Sequence, residues 1–197
     1  MNERIAFFDF DGTITTKDTL LEFIKFYKGT LPFYLGFLLY SPYLLAYKLK
    51  LIPNYVAKQK VLQFFFNGES METFQKKCDE FSDLILPKLL RPKALKEIQK
   101  LKAVNAIIVI VSASAENWIK KWASANHLHL MGTRLAIAEN KITGTIDGKN
   151  CYGDEKVCRI EKEYDLSAYQ EIYCYGDSEG DKAMLNLATF PFYKPFR

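Results

Sequence analysis

The sequence is poor in the residues that build metal clusters and cross-links. Its four cysteines, Cys78, Cys151, Cys158 and Cys174, include no Cys-x-x-Cys pair, and its two histidines, His127 and His129, stand apart from them. This argues against a zinc site and a disulfide framework, and predicts free thiols in a reducing, cytoplasmic setting. The histidines are expected to have no catalytic role. No block of lysine and arginine is present and the formal charge is a mild +4, so no nucleic-acid partner is expected. There is no internal repeat or low-complexity tract, and 49% hydrophobic with 25% charged residues is the composition of a globular chain. The N-terminus does not read as a signal peptide, because Glu3, Asp9 and Asp11 interrupt any apolar core. Two further absences are local. No arginine occurs between Arg4 and Arg91, and no acidic residue from Phe23 to Gly68.

What is present begins with RIAFFD, residues 4–9, a short apolar run suited to a buried strand. AIIVIVSA, residues 106–113, is β-branched and apolar, as in a parallel strand covered on both faces, and EIYCYGD, residues 171–177, is a third such run. Each ends in small or polar residues, and in open α/β sheets ligands bind outside the carboxyl ends of the strands. Apolar spacing predicts helices over 92–104 and 116–127, and two alternating runs around Glu139-Asn140 predict a β-hairpin over 135–148. Residues 15–90 break this alternation and read as wholly helical. The expected fold is therefore α/β, a Rossmann-like parallel-sheet core of residues 1–14 and 91–197 with an all-helical cap, 15–90, inserted into it.

The chemistry lies in DFDGT. Asp9 and Asp11 repel each other at a strand end unless a cation neutralises them, and hard oxygen ligands shared with a phosphate suit Mg²⁺. Asp177 and Asp181, in GDSEGD, supply further carboxylates. Asp9 can act as a nucleophile forming an aspartyl-phosphate, and Asp11 as the acid that protonates the leaving oxygen and later activates water. Gly12 frees the backbone for close approach to a phosphate, and Thr13 offers a hydroxyl and an amide. Lys156 supplies positive charge, while Ser112 and the amide of Ala113 can bind a phosphoryl oxygen. Ser112 can alternatively cap the following helix.

DFDGT, Ser112 in VIVSAS, Lys156 in GDEKV and GDSEGD, in that order, resemble the four motifs of the haloacid-dehalogenase-like phosphohydrolases along the whole chain. The resemblance implies Mg²⁺ held by Asp9, the backbone carbonyl of Asp11, and Asp177, with Asp181 supporting the metal's waters. The second aspartate of the motif implies phosphatase rather than dehalogenase chemistry. The hairpin and the helical insert after DFDGT resemble the phosphoserine-phosphatase-like branch. In that branch a cap Glu and a cap Arg hold the amino acid. Here Asp18 stands at about the Glu position and the arginine is missing, a departure from a phosphoserine clamp. The layout is also similar to the phosphatidylglycerophosphate phosphatases of the branch, with an apolar Pro-interrupted segment and then Gly-x-Glu-Lys-Val, here Gly153 to Val157.

Residues 23–68 carry six lysines and thirteen Phe or Tyr, and residues 29–47 carry no charge at all. One reading is a cap that buries aromatics against itself and the core. The other is a monotopic surface, with aromatics entering a membrane interface and Lys25, Lys28, Lys48 and Lys50 facing anionic headgroups on the inner face of the membrane. The expected substrate is a lipid or amphiphilic phosphomonoester, with a small soluble phosphate as the alternative. A non-catalytic phosphate-binding or membrane-associated module is the competing class, and would bind without turnover.

Overall fold

The computed structural model describes residues 3–49 and 51–197, with the backbone alone for residues 44, 46, 47 and 48. The first apolar run becomes β1 (Arg4–Phe8), and the second and third become β2 (Ile107–Ala115) and β5 (Glu171–Gly176). β1 pairs in parallel with both, in register Ile5 with Ile107 on one side and with Ile172 on the other. β3 (His129–Ala138) extends the sheet in parallel beyond β2, β4 (Lys141–Asp147) pairs antiparallel with β3, and β6 (Phe190–Tyr193) closes the other edge. The order is β4-β3-β2-β1-β5-β6. The parallel α/β reading is borne out, as is the hairpin turning at Glu139-Asn140, although its first strand begins six residues before the expected Leu135.

Alternate residues of the central strands point to opposite faces. Ala6, Phe8, Ile108 and Ile110 enter one apolar cluster, and Ile5, Phe7, Val109 and Val111 the other. The second cluster is covered by Ile160 of α9 (Asp154–Glu163) and Met184 of α10 (Lys182–Leu185). The first is covered by α7 (Pro92–Ala103) and α8 (Glu116–Ala125), through Ile98, Trp118 and Ile119. It also runs on without a break into the helices between β1 and α7.

Those helices are α1 (Thr19–Lys28), α2 (Thr30–Leu39), α3 (Ser41–Lys48), α4 (Asn54–Phe66), α5 (Met71–Leu84) and α6 (Leu86–Leu89). Asp18 caps α1, accepting from the Leu21 amide at 3.1 Å, and Ser70 caps α5, accepting from the Thr73 amide at 3.2 Å. The chain enters and leaves this insert side by side. Thr16 donates to the Leu89 carbonyl and the Arg91 amide to the Ile14 carbonyl, each at 2.8 Å. On its far side α4 lies against β4 so closely that a side chain at Gly144 would come within 2.4 Å of the Gln63 backbone.

The apolar segment divides between its two readings. Phe33 and Phe37 of α2 pack inward, Phe37 against Phe65 of α4 with ring centroids 5.9 Å apart. The outer face is left open, with Leu31 70%, Leu38 69% and Leu39 66% exposed. The aromatics of α2 that face the other helices thus follow the cap reading, while its outer leucines do not, and Gly36 alone is fully buried on that helix. Lys28 is committed to Glu69 at 2.5 Å, and the side chain of Lys48 and all of Lys50 lie outside the described residues. Among the described residues no helix is long and apolar enough to cross a membrane.

Candidate active site

Asp9 follows directly on β1, and its amide donates to the Tyr175 carbonyl at 2.8 Å, so the sheet ladder itself fixes its backbone. Its side chain is buried, with Oδ1 accepting from Lys156 Nζ at 2.7 Å and Oδ2 from the Thr13 hydroxyl at 3.2 Å. Lys156, in the first turn of α9, is only 1% exposed. Its three ammonium hydrogens meet Asp9, Asp181 Oδ1 and the Val111 carbonyl, each at 2.7 Å, which satisfies the group completely. One buried cation therefore braces two carboxylates from opposite ends of the chain.

Asp181 is held from its other oxygen as well. Oδ2 accepts from the Asp177 and Ser178 amides at 3.1 and 2.9 Å and from the Ser178 hydroxyl at 2.7 Å. Burial pushes its pKa up, but Lys156 and the Ser178 bonds outweigh burial and hold it below the usual value. Asp9 goes the other way. Burial raises it to about 7, against the pull of Lys156 and with the charges of Asp181 and Asp11 adding to the rise. Burial also raises Asp177, which is paired with the Arg197 guanidinium.

Carboxylate oxygens of Asp9, Asp177 and Asp181 all lie within 4.8 Å of one another. Three hard, anionic donors at this spacing fit Mg²⁺, which binds few protein ligands and keeps several waters. Asp181 accepts four hydrogen bonds, from Lys156, the Asp177 and Ser178 amides and the Ser178 hydroxyl, against two on Asp9, which leaves Asp9 and Asp177 as the less engaged donors. Gly12 makes the turn beside them at φ +80°, and a side chain there would lie 2.5 Å from Asp177 Oδ2. Only glycine leaves that carboxylate its place.

Asp11 faces the insert. Oδ1 accepts from the Thr19 amide at 2.7 Å, at the first residue of α1, and Oδ2 accepts from the Ser114 hydroxyl. Thr19 is itself tied to Ser114 at 3.1 Å and to the Trp118 indole at 3.0 Å. Burial raises Asp11 to about 6, with Asp18 adding to the rise and Ser114 and Thr19 opposing it. A carboxyl poised near neutrality is suited to giving and taking a proton.

These groups line a cavity of about 510 Å³ between the strand ends and α1, α2 and α4. Asp9, Asp11, Asp18, Ala113, Lys156, Asp177 and Asp181 all border it. Gly12 and Thr13 stand in the turn beneath. Ser112 is fully buried and accepts from the Ser114 amide at 3.0 Å, so its hydroxyl shapes the strand end without bordering the cavity. It does not cap α8, because β2 continues to Ala115 and that residue precedes the helix. His129 lies elsewhere, hydrogen-bonded to the Tyr164 hydroxyl at 2.6 Å. Sequence reasoning missed Ser114, Thr19, Lys58 and Arg197. The Ser-x-Ser pair in VIVSAS was the available signal for Ser114. Nothing local marks the other three.

The raised carboxyls set the pH response of the metal-free chain. Folded Asp9 and Asp11 keep protons that the unfolded chain has released above pH of about 4, so stability falls as pH rises from about 4 to 7. Lowered carboxyls such as Asp181 act below that window. In a chelator the melting temperature is expected to drop between pH of about 5 and 7.5, and millimolar Mg²⁺ should recover most of the loss at the upper end. A flat profile in chelator would show that the two carboxyls are ionised throughout.

A parallel sheet covered on both faces, with a lysine-braced acidic cluster at its strand ends, is the layout of a Rossmann-like α/β enzyme with its site at the carboxyl ends of the strands. The family model of haloacid dehalogenase-like hydrolases matches residues 6–186, and the chain belongs to that family. It is 33% identical over 192 residues to protein CicA of Caulobacter vibrioides, covering 96% of this chain and 85% of that one. Among solved structures, a protein of unknown function from Bordetella pertussis superposes with a TM-score of 0.82 at 20% identity, covering 96% of this chain and 88% of the other. A phospho-aspartyl intermediate analogue of phosphoserine phosphatase superposes with a TM-score of 0.63 at 18% identity, over 95% and 84% of the two chains. The fold is thus that of the phosphoserine-phosphatase-like branch.

Proposed function

We propose that this chain, a phosphatase of its family, is a Mg²⁺-dependent phosphomonoesterase working through an aspartyl-phosphate on Asp9. The observation that carries the reading is the Lys156 bridge, which holds Asp9 at the cavity wall by Oδ1 while Oδ2 accepts from Thr13 at 3.2 Å. Asp9 attacks phosphorus as the bond to the leaving oxygen breaks, and protonated Asp11 gives that oxygen its proton. Asp11, now ionised, takes a proton from water as the water attacks the acyl phosphate. Phosphate leaves and Asp9 is regenerated. Mg²⁺ would be held by Asp9, Asp177 and the Asp11 carbonyl, with Asp181 in support, and would offset the negative charge of nucleophile and phosphoryl group. Ser112, Ala113, Thr13 and Gly12 shape the phosphoryl pocket, and Asp18 stands on the leaving-group side. The test is phosphate release with Mg²⁺ from phosphoserine, sugar phosphates, nucleotides and phosphatidylglycerophosphate, with Asp9→Asn as control. Binding of phosphate without any release would overturn it in favour of a non-catalytic module.

The insert, as a cap of residues 15–90, further supports a lipid or amphiphilic substrate and a peripheral contact with the inner membrane face. Phe37 borders the cavity from the inner side of α2, while Leu31, Leu35, Leu38 and Leu39 stand exposed on the same helix. A helix that is apolar outward, in a stretch without acidic residues, fits an anionic lipid interface. The intact chain is expected to float with anionic phosphatidylglycerol vesicles, and Leu35→Asp with Leu38→Asp to abolish flotation without loss of folding. Equal flotation of the variant would remove this surface from the proposal.

A further inference from the structure

Three buried side chains that no step of that chemistry uses lead in line to Asp11. The Trp118 indole N–H donates to the Thr19 hydroxyl at 3.0 Å, Thr19 meets the Ser114 hydroxyl at 3.1 Å, and Ser114 donates to Asp11 Oδ2. None of the three side chains is reached by bulk water, Trp118 and Thr19 being completely buried. Trp118 comes from α8 and Thr19 from α1. Ser114 lies in the irregular end of β2, where its own amide is fixed by the Ser112 hydroxyl at 3.0 Å. Two elements of the core and one of the insert thus converge on a single carboxyl oxygen.

The hydrogens of this chain can run one way only. An indole nitrogen donates and cannot accept, and each hydroxyl carries a single hydrogen. An ionised Asp11 takes the hydrogen of Ser114, so the hydrogen between Thr19 and Ser114 belongs to Thr19, and the indole fills the acceptor side of Thr19. Reversal would leave the Thr19 hydrogen facing the indole N–H, a buried donor without an acceptor. Asp11 Oδ1 is met by the Thr19 amide at 2.7 Å, which also only donates. When Asp11 is protonated, neither partner can take its proton, and the side left open is the cavity, which Asp11 and Ser114 both border.

We propose that Trp118, Thr19 and Ser114 are positioning residues, a one-way donor chain that aims the Asp11 proton at the leaving oxygen of the substrate. As the phosphorus–oxygen bond breaks, that proton passes to the leaving oxygen and Asp11 becomes a carboxylate. Ser114 keeps its own hydrogen, and its bond to the new charge strengthens. This rests on the phosphatase reading and adds to it the residues that direct its acid. Without the Ser114 hydroxyl the Asp11 proton is no longer aimed, and the loss falls on esters whose leaving oxygen needs a proton.

Glycerol 3-phosphate and p-nitrophenyl phosphate separate the effects, because an alkoxide leaves poorly without a proton and a nitrophenolate leaves as the anion. Ser114→Ala should lower kcat/KM on glycerol 3-phosphate by about tenfold or more, and on p-nitrophenyl phosphate by less than about threefold. Thr19→Val, which keeps the amide to Asp11 but not the hydroxyl, should repeat that pattern, and Thr19→Ser should stay close to the wild type. An equal fall on both esters, or none, overturns the proposal. A second readout needs no turnover. The chain has two tryptophans, so the Trp118 indole N–H resonance is identified by its loss in Trp118→Phe. Asp11→Asn should move that resonance further than the one of Trp122, and should no longer do so in the Ser114→Ala background. An indole indifferent to Asp11 overturns the donor chain even if both esters are cleaved. A coupled indole in a chain that releases phosphate from neither ester sinks the phosphatase reading while the donor chain stands.

Discussion

Asp9→Asn is expected to reduce phosphate release by at least about 10³-fold, because it removes the proposed nucleophile. The variant should fold. The amide oxygen of Asn can still accept from Lys156, whose other bonds to Asp181 and Val111 are untouched. It also removes one of the buried negative charges that raise one another's pKa, so repulsion of an incoming phosphate falls. Inorganic phosphate should therefore bind at least as tightly as to the wild type. Calorimetric titration alongside a release assay reads both effects. Normal turnover in Asp9→Asn would sink the covalent mechanism, and loss of folding would show that the carboxylate itself, rather than its oxygen, holds the strand end.

The second large effect is on stability. Lys156→Met should destabilise the metal-free chain by about 3–5 kcal/mol, the usual cost of breaking a buried ion pair from one side. Asp9 and Asp181 would then face each other without a cation, and the Val111 carbonyl would lose its donor. For a chain of this size the melting temperature should fall by roughly 10 °C. The sign of the pH dependence is diagnostic. At pH of about 5 the orphaned carboxyls can bind protons and shed their charge, so the gap to the wild type should narrow as pH falls. Activity should be lost across the whole range, since Asp9, the proposed nucleophile, is no longer braced. Equal melting at pH of about 7.5 in chelator would mean that Lys156 is not what holds the two carboxylates together.

How much of this was legible depends on the distance over which each feature is encoded. β1, β2 and β5 announce themselves because a doubly covered strand needs an unbroken apolar run, and DFDGT because two carboxylates and a glycine within four residues demand a local explanation. Lys156 and Asp177 are visible through motif order. Ser114 was hidden by its own neighbourhood. SAS reads as the end of a strand, yet β2 continues through it with a shift in register against β3, which brings Ser114 to Asp11. Lys58 looks like one more lysine in a basic stretch, and only the packing of α4 against β4 delivers it to Ala113, 55 residues away. β6 escaped because four residues containing a proline carry too little pattern to separate an edge strand from a loop. The outward face of α2 was undecidable for a related reason, since its residues are apolar on every side and periodicity has nothing to select.

The bond from the Thr19 amide to Asp11 joins two things that the chain keeps separate elsewhere. Asp11 belongs to the strand end, while Thr19 opens the first helix of the insert. A shift of α1 away from the strand ends would take this donor from Asp11 and at the same time relieve the burial that is the larger influence on its carboxyl. The acidity of Asp11 thus reports where α1 stands, and a probe of that one carboxyl is also a gauge of how the insert sits over the strand ends.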